Sequence, residues 1–272
     1  MNTSLRRAAL AASTVGVLLL AAACGSDEDV SGDTAADGAL DLVSEGTLTA
    51  CTNAPYFPFE FEDADAPSGY SGFDIDLLQA IADELELELA VENVSFDAIQ
   101  SGTTMAAGQC DIGASAITIT EERAANVTFS DPYYDSLQSL LVAADSGIES
   151  IDDLAGRPVA VQSGTTGLNY ARENAPEASL VEYPEDAVMW SALQSEQVDA
   201  ILQDLPVNVE HAREDSGYVI VEEYPTDEQY GYALAGDAPA ELVDAVNNAL
   251  QALRENGTYD EIYDSYFAAD EG

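Results

Sequence analysis

The chain has 272 residues, with seven Arg, no Lys, one His and 52 Asp or Glu, for a formal charge of -45. Hydrophobic residues make up 47%, enough for a sizeable core, and the length suits one large domain or two of ordinary size. So acidic a surface repels phosphate backbones and anionic lipid, which argues against nucleic-acid binding. The lack of Lys removes a P-loop GK[ST] and a Lys-based enzyme, and one His leaves little room for His catalysis or a His-rich metal centre. No cofactor and no metal are expected.

Residues 1–24 read as an export signal: Arg6 and Arg7 supply a positive start, and residues 8–20 form an apolar stretch of 13, too short to span a bilayer. A small-residue run then ends in Cys24, as in a bacterial lipobox, so Cys24 is expected to carry lipid and become the mature N-terminus. Ala21 stands where Leu is usual. Cleavage removes two Arg and no acid, leaving five Arg against 52 acids. Residues 25–45 hold seven acids, no base and no aromatic, and read as a disordered acidic tether. The expected location is the extracytoplasmic face of the cell membrane, held by the lipid alone.

From Thr47 onward β-rich runs alternate with helical periodicity. Strands are expected at 47–52, 87–94, 110–116, 137–143, 158–161, 180–183, 200–203 and 230–235. Helices are expected at 74–85, where Ile75, Leu78, Ile81, Ala82 and Leu85 share a face, and at 166–174, 186–195, 206–214, 240–255 and 258–267. This alternation implies parallel sheets flanked by helices, and so many strands in about 225 residues fit two α/β lobes better than one sheet.

Ligands of open α/β sheets sit at the carboxyl ends of strands, and three such ends carry convergent polar groups. After the strand at 110–116, Thr120 can cap a short helix that turns Arg123 back toward the strand end, where its planar fork suits a carboxylate. Ser163-Gly-Thr-Thr-Gly167 joins a strand to a helix N-terminus, an anion site or an ordinary tight turn. Ala200-Ile-Leu-Gln-Asp204 ends in a carboxylate that could hold an ammonium or cap the helix begun by Pro206. Together the three suit a ligand with both charges on neighbouring atoms, an α-amino acid.

Six stretches, in order, carry a resemblance: TNAPYFPFEF at 52–61, GFDIDL at 72–77, ITITEER at 117–123, FSDPYY at 129–134, VQSGTT at 161–166 and NGTYDEI at 256–262. With them, residues 46–267 resemble the family 3 extracellular solute-binding proteins of polar amino-acid ABC importers. The resemblance implies a type II periplasmic-binding fold, with a first lobe at 46–133 and 229–267, a second at 138–226 and a tail at 268–272. Crossovers near 134–136 and 226–229 would form the hinge. It implies that Arg123 grips the α-carboxylate with Ser115, Ala116, Thr118 and the Gly164, Thr165 and Thr166 turn, and that Asp204 takes the α-ammonium. Asn53, Tyr56, Phe96 and Gln162 would line the side-chain pocket. Asn53 stands where many members have Asp, Ala116 where some have Ser, and Gln162 where some glutamine binders have Lys.

The implied role is a receptor, expected as a monomer, that closes on a polar amino acid and delivers it to ABC permease subunits. A glutamine-like ligand ranks first and arginine or lysine second. The alternative is a secreted cyclohexadienyl dehydratase on the same fold, which needs an acid poised over a leaving hydroxyl.

If Asn53 and Ser115 face the ligand together, Cys51 lies two residues below and Cys110 five. An extracytoplasmic location permits a Cys51–Cys110 disulfide, but that offset is about 10 Å along the strands, beyond the roughly 7 Å a disulfide tolerates, so the bond would require a local distortion or a different register. Trp190 reads as core, Tyr133 and Tyr134 as hinge packing, His211 as solvated, and Asp74 and Asp76 as helix-start residues.

Overall fold

The computed structural model describes residues 40–268. The export signal, Cys24, the tether up to residue 39 and the tail from 269 lie outside them.

The first lobe opens with β1 (Thr47–Thr52), the short pair β2 (Phe61–Glu62) and β3 (Tyr70–Ser71), α1 (Phe73–Glu84) and β4 (Glu88–Asn93). Next come α2 (Phe96–Gln100), α3 (Thr103–Ala106), β5 (Ile112–Gly113), α4 (Glu121–Ala124) and β6 (Val127–Phe129). The second lobe holds β7 (Tyr134–Ala143), β8 (Pro158–Gln162), α5 (Thr166–Asn174), β9 (Ser179–Tyr183) and α6 (Asp186–Gln194). It continues with β10 (Ala200–Asp204), α7 (Leu205–Glu214) and β11 (Tyr218–Tyr230), and the chain returns for β12 (Ala233–Ala235), α8 (Ala240–Asn256) and α9 (Thr258–Phe267).

Two five-stranded sheets result, in the orders β4-β1-β5-β12-β6 and β11-β7-β10-β8-β9. Both are mixed, which corrects the expectation of parallel sheets. β1 lies parallel to β4 and β5, and β8 parallel to β9 and β10, but β12 and β7 run antiparallel to their neighbours. The cause is the double crossing between lobes. β7 carries the chain out and β11 brings it back, and opposite directions side by side make an antiparallel ribbon with Tyr230 level with Tyr134 and Glu228 with Ser136. β11 was not expected from sequence; Pro225 and the register shift between Tyr224 and Glu228 break its alternation.

Leu48, Ala50, Leu77, Leu78, Ile81 and Leu250 bury the first lobe's core, and Leu140, Val142, Val159, Val161 and Leu202 the second's. Residues 40–45, expected within the tether, lie on the first lobe. Leu40 and Leu42 pack on its core, and Val43 donates to the Asp111 carboxylate at 2.7 Å.

The structure bonds Cys51 to Cys110, with Cα atoms 5.8 Å apart. The expected register holds, since Cys51 pairs with Gly113, but the expected strand at 110–116 shrinks to Ile112–Gly113. Cys110 therefore does not continue down the strand. The Asp111 N–H bonds the Thr49 carbonyl and its carboxylate takes the Thr49 N–H, so the chain enters the sheet across β1 and sets Cys110 over Cys51.

His211 is buried, not solvated. It meets Asp186 at 3.0 Å and stacks on Trp190, with ring centres 4.4 Å apart, because α7 turns this face onto α6. Trp190 is core as expected.

The disulfide closes 59 residues of sequence. Replacing both Cys51 and Cys110 with Ala should lower unfolding stability by about 2–4 kcal/mol, read as a lower denaturant midpoint. Peptide mapping of the native protein should recover the two cysteines linked; recovery of both as free thiols would show the pairing wrong.

Candidate functional site

The two sheets point their strand ends at one cleft. Asn53 follows β1, and residues 115–118 follow β5. Thr120 caps α4 by accepting the Arg123 N–H, so this one-turn helix projects Arg123 back under the β5 end. From the other side, Gln162 ends β8 and Asp204 ends β10. Thr165 caps α5 by accepting the Leu168 N–H. Gly164 makes the turn before it at φ 76°, where a side chain would be strained. Asp204 occupies the N-cap position of α7 but makes no capping bond, so the bland reading of it as a helix cap does not hold.

Between the lobes lies a narrow cavity. It is lined by Asn53, Tyr56, Phe96, Ser115, Ala116, Thr118, Arg123, Gln162, Thr165, Thr166 and Asp204, all expected from sequence. Gly164 does not line it; its carbonyl instead accepts from Arg123. Gln138, Gly167 and Gln203 line the cavity and were missed. For Gln203 a signal existed: it stands beside Asp204 at the end of an otherwise apolar strand.

Polar contacts bridge the lobes. Tyr56 donates its hydroxyl to Asp204 at 2.8 Å, Arg123 donates to the Gly164 carbonyl at 3.0 Å, and Gln162 donates to the Asn53 carbonyl oxygen at 3.0 Å. The hydroxyls of Thr118 and Thr166 meet at 3.4 Å. The cleft is therefore closed.

Arg123 is 5% exposed. Its guanidinium donates to the Thr118 and Gly164 carbonyls and lies over Phe96, 5.3 Å from the ring centre. None of the ion pairs among the described residues involves it. Burial pulls its pKa down, and the negative field of Asp204 and Glu228 opposes that. Asp204 is pushed up by burial, offset by hydrogen bonds from Tyr230, Tyr56 and Gln138 and by the charge of Arg123.

Beneath the β5 end sit two buried acids. Asp74 begins α1, as expected, but its carboxylate accepts the Ala116 N–H at 2.7 Å and the Tyr133 hydroxyl at 2.7 Å. It thereby holds Ala116 at φ 45°, an unusual backbone for a residue with a Cβ. Glu60 accepts from the Ser115 hydroxyl, which in turn accepts the Asn53 N–H at 3.2 Å. Burial pushes Asp74 up to about 7, and burial with the Asp74 charge pushes Glu60 well above the carboxylate range. Asp74 Oδ1 and Glu60 Oε2 are buried without hydrogen-bond partners.

A family model described as bacterial extracellular solute-binding proteins, family 3, matches residues 48–269. The ABC transporter glutamine-binding protein GlnH of Bacillus subtilis (strain 168) is 36% identical over 203 residues, 73% of each chain. The putative ABC transporter arginine-binding protein 2 of Escherichia coli (strain K12) is 30% identical over 232 residues, 84% of this chain and 93% of the other. A solved structure described as an ancestral arginine-binding protein bound to glutamine superposes with a TM-score of 0.77 at 33% identity, covering 83% of this chain and all of that one.

Both Asp74 and Glu60 hold a proton more tightly folded than unfolded. Their contribution to stability is therefore fully present below an ordinary carboxyl pKa of about 4 and is lost as pH rises toward 7 and above. The urea midpoint should fall between pH 5 and pH 7.5, and Asp74→Asn should flatten that fall. An equally steep fall in the Asn variant would mean that Asp74 enters the native state ionised.

Proposed function

The chain belongs to the bacterial extracellular solute-binding proteins, family 3, and on that premise we propose that it closes its two lobes on a polar L-α-amino acid and delivers it to an ABC importer. The observation that carries this reading is Arg123, a buried guanidinium without an acidic partner, facing Asp204 across the cleft. A buried charge costs several kcal/mol unless paired, so the cavity calls for a carboxylate at Arg123 and a cation at Asp204. An α-amino acid brings both charges on neighbouring atoms.

At the side-chain end the cavity offers the amides of Asn53 and Gln162 and the rings of Tyr56 and Phe96, and Arg123 is the one cationic side chain in its lining. A ligand carboxylate there would meet no positive partner. A glutamine side chain can hydrogen-bond to the amides while its methylenes pack on the rings. A cationic side chain is tolerated through the acidic field and cation–π contact. Glutamine-like ligands therefore rank first and arginine or lysine second. Relatives are named for glutamine and for arginine, the two kinds of candidate ranked here.

The dehydratase alternative needs an acid over the ligand. Asp204 is the one acid in the lining; Glu60, Asp74 and Glu228 stand behind it, bonded to Ser115, to Ala116 and to Gln138, Thr166 and Thr118, which favours a receptor over an enzyme. Cys24, outside the described residues, is read as the lipid anchor. Cys24→Ala should then move the protein from the membrane fraction to the soluble one.

Calorimetry of the protein against the twenty amino acids tests the reading. Glutamine should bind far more tightly than glutamate. Arg123→Ala should cost about 2–5 kcal/mol of binding, and Arg123→Lys should recover part, since one ammonium cannot reproduce the fork. Unchanged affinity in the Ala variant, or glutamate binding more tightly than glutamine at neutral pH, would refute it.

A further inference from the structure

Glu228 sits half-buried on β11, in the paired crossover ribbon opposite Ser136. Its Oε2 accepts from three donors: Gln138 Nε2 at 2.9 Å, Thr166 Oγ1 at 3.3 Å and Thr118 Oγ1 at 3.4 Å. Gln138 and Thr166 belong to the second lobe and Thr118 to the first. One carboxylate on the hinge therefore touches both lobes, and it does so only with the cleft shut.

The charges around it do not balance. Gln138 Nε2 donates to Asp204 as well as to Glu228, so two carboxylates share one amide. The cation nearby is Arg123, on α4, already bonded to the Thr118 and Gly164 carbonyls. The other titratable groups facing this corner are the hydroxyls of Tyr56 and Tyr230, which supply no positive charge. Asp227 and Asp135 line the groove on the outer side of the ribbon and add more negative field. An amino acid entering the cavity brings one ammonium and one carboxylate. Arg123 and the ligand ammonium then face Asp204, the ligand carboxylate and Glu228, a surplus of one anion.

We infer that closing the cleft on an amino acid takes up one proton at Glu228, so that this hinge carboxyl links lobe closure to acidity. The inference rests on the receptor reading above. With the lobes apart Glu228 loses Thr118, meets water and ionises as an ordinary glutamate. With the lobes together, burial and the charge of Asp204 push it up to about 7, against the three hydrogen bonds it accepts. The closed state thus holds the proton more tightly than the open one. Affinity is strongest in mild acid and weakens as pH rises through about 7. Glu228 is a positioning residue in this scheme: it acts through Thr118, Thr166 and Gln138, which line the cavity.

Calorimetry with L-glutamine and L-arginine, from pH 5.5 to 8 and at pH 6 in buffers of different ionisation heat, reads the proton directly. Wild type should bind roughly thirtyfold more tightly at pH 5.5 than at pH 8 and take up about one proton per site at pH 6. Glu228→Gln should bind with a flatter pH profile and without that uptake. The comparison removes contributions from Asp74 and Glu60, which both proteins share. A Gln variant with the wild-type profile and proton uptake overturns the proposal and leaves the receptor reading intact. If no amino acid binds either protein, the receptor reading fails and the proposal with it. Should the variant not fold, the side-chain carboxyl resonance of Glu228 in labelled wild type serves instead. A midpoint near 7 with L-glutamine bound supports the inference, and an ordinary glutamate midpoint overturns it.

Discussion

Arg123 is a buried guanidinium in a chain with 52 acids, yet it touches two backbone carbonyls and the face of Phe96. The acids nearest it in sequence, Glu121 and Glu122, are exposed on the first turn of α4. Asp204 lies across the cleft and spends its oxygens on Tyr56 and Gln138. Pairing Arg123 with an acid of the chain's own would stabilise the fold and fill the site. Leaving it unpaired keeps a charge that a ligand carboxylate can satisfy, a trade of stability for function.

The scaffold holds that charge still. The carboxylate of Asp74 takes the Ala116 N–H, and Glu60 takes the Ser115 hydroxyl, so the loop after β5 is braced from below by two buried acids. Bracing with acids makes the loop's geometry depend on protons as well as on packing. The second lobe has its own brace: His211 and Gln203 converge on Asp186, with Gln203 also reaching Asn208. Between the lobes run two paired strand segments of β7 and β11, which can bend together without breaking either core. Glu228 sits on that ribbon and belongs to both the hinge and the margin of the site.

Much of this was legible in the residues. The strand ends of ITITEER, VQSGTT and AILQD put Arg123, Thr165 and Asp204 at one cleft, because helix caps and turn glycines act locally. What failed depends on contacts distant in sequence. The antiparallel ribbon escaped notice because a strand interrupted by Pro225 has no clean alternation, and its partner β7 lies some 90 residues earlier. His211 looked solvated on an open helix face until α6 was laid against it. An extended strand in the same register sets Cys51 and Cys110 apart; they meet because Asp111 turns the chain across β1. Gln138 and Glu228 carry no local motif, and only the closed cleft brings them to Asp204.

The central claim is that one amino acid bridges Arg123 on the first lobe and Asp204 on the second. Small-angle X-ray scattering of the purified protein, with and without saturating L-glutamine or L-arginine, addresses it most directly. If the ligand is clamped from both sides, the radius of gyration falls on binding in wild type and stays put in Arg123→Ala at the same ligand concentration. Tight binding in wild type with an unchanged radius would mean that the ligand is held without the two lobes closing on it.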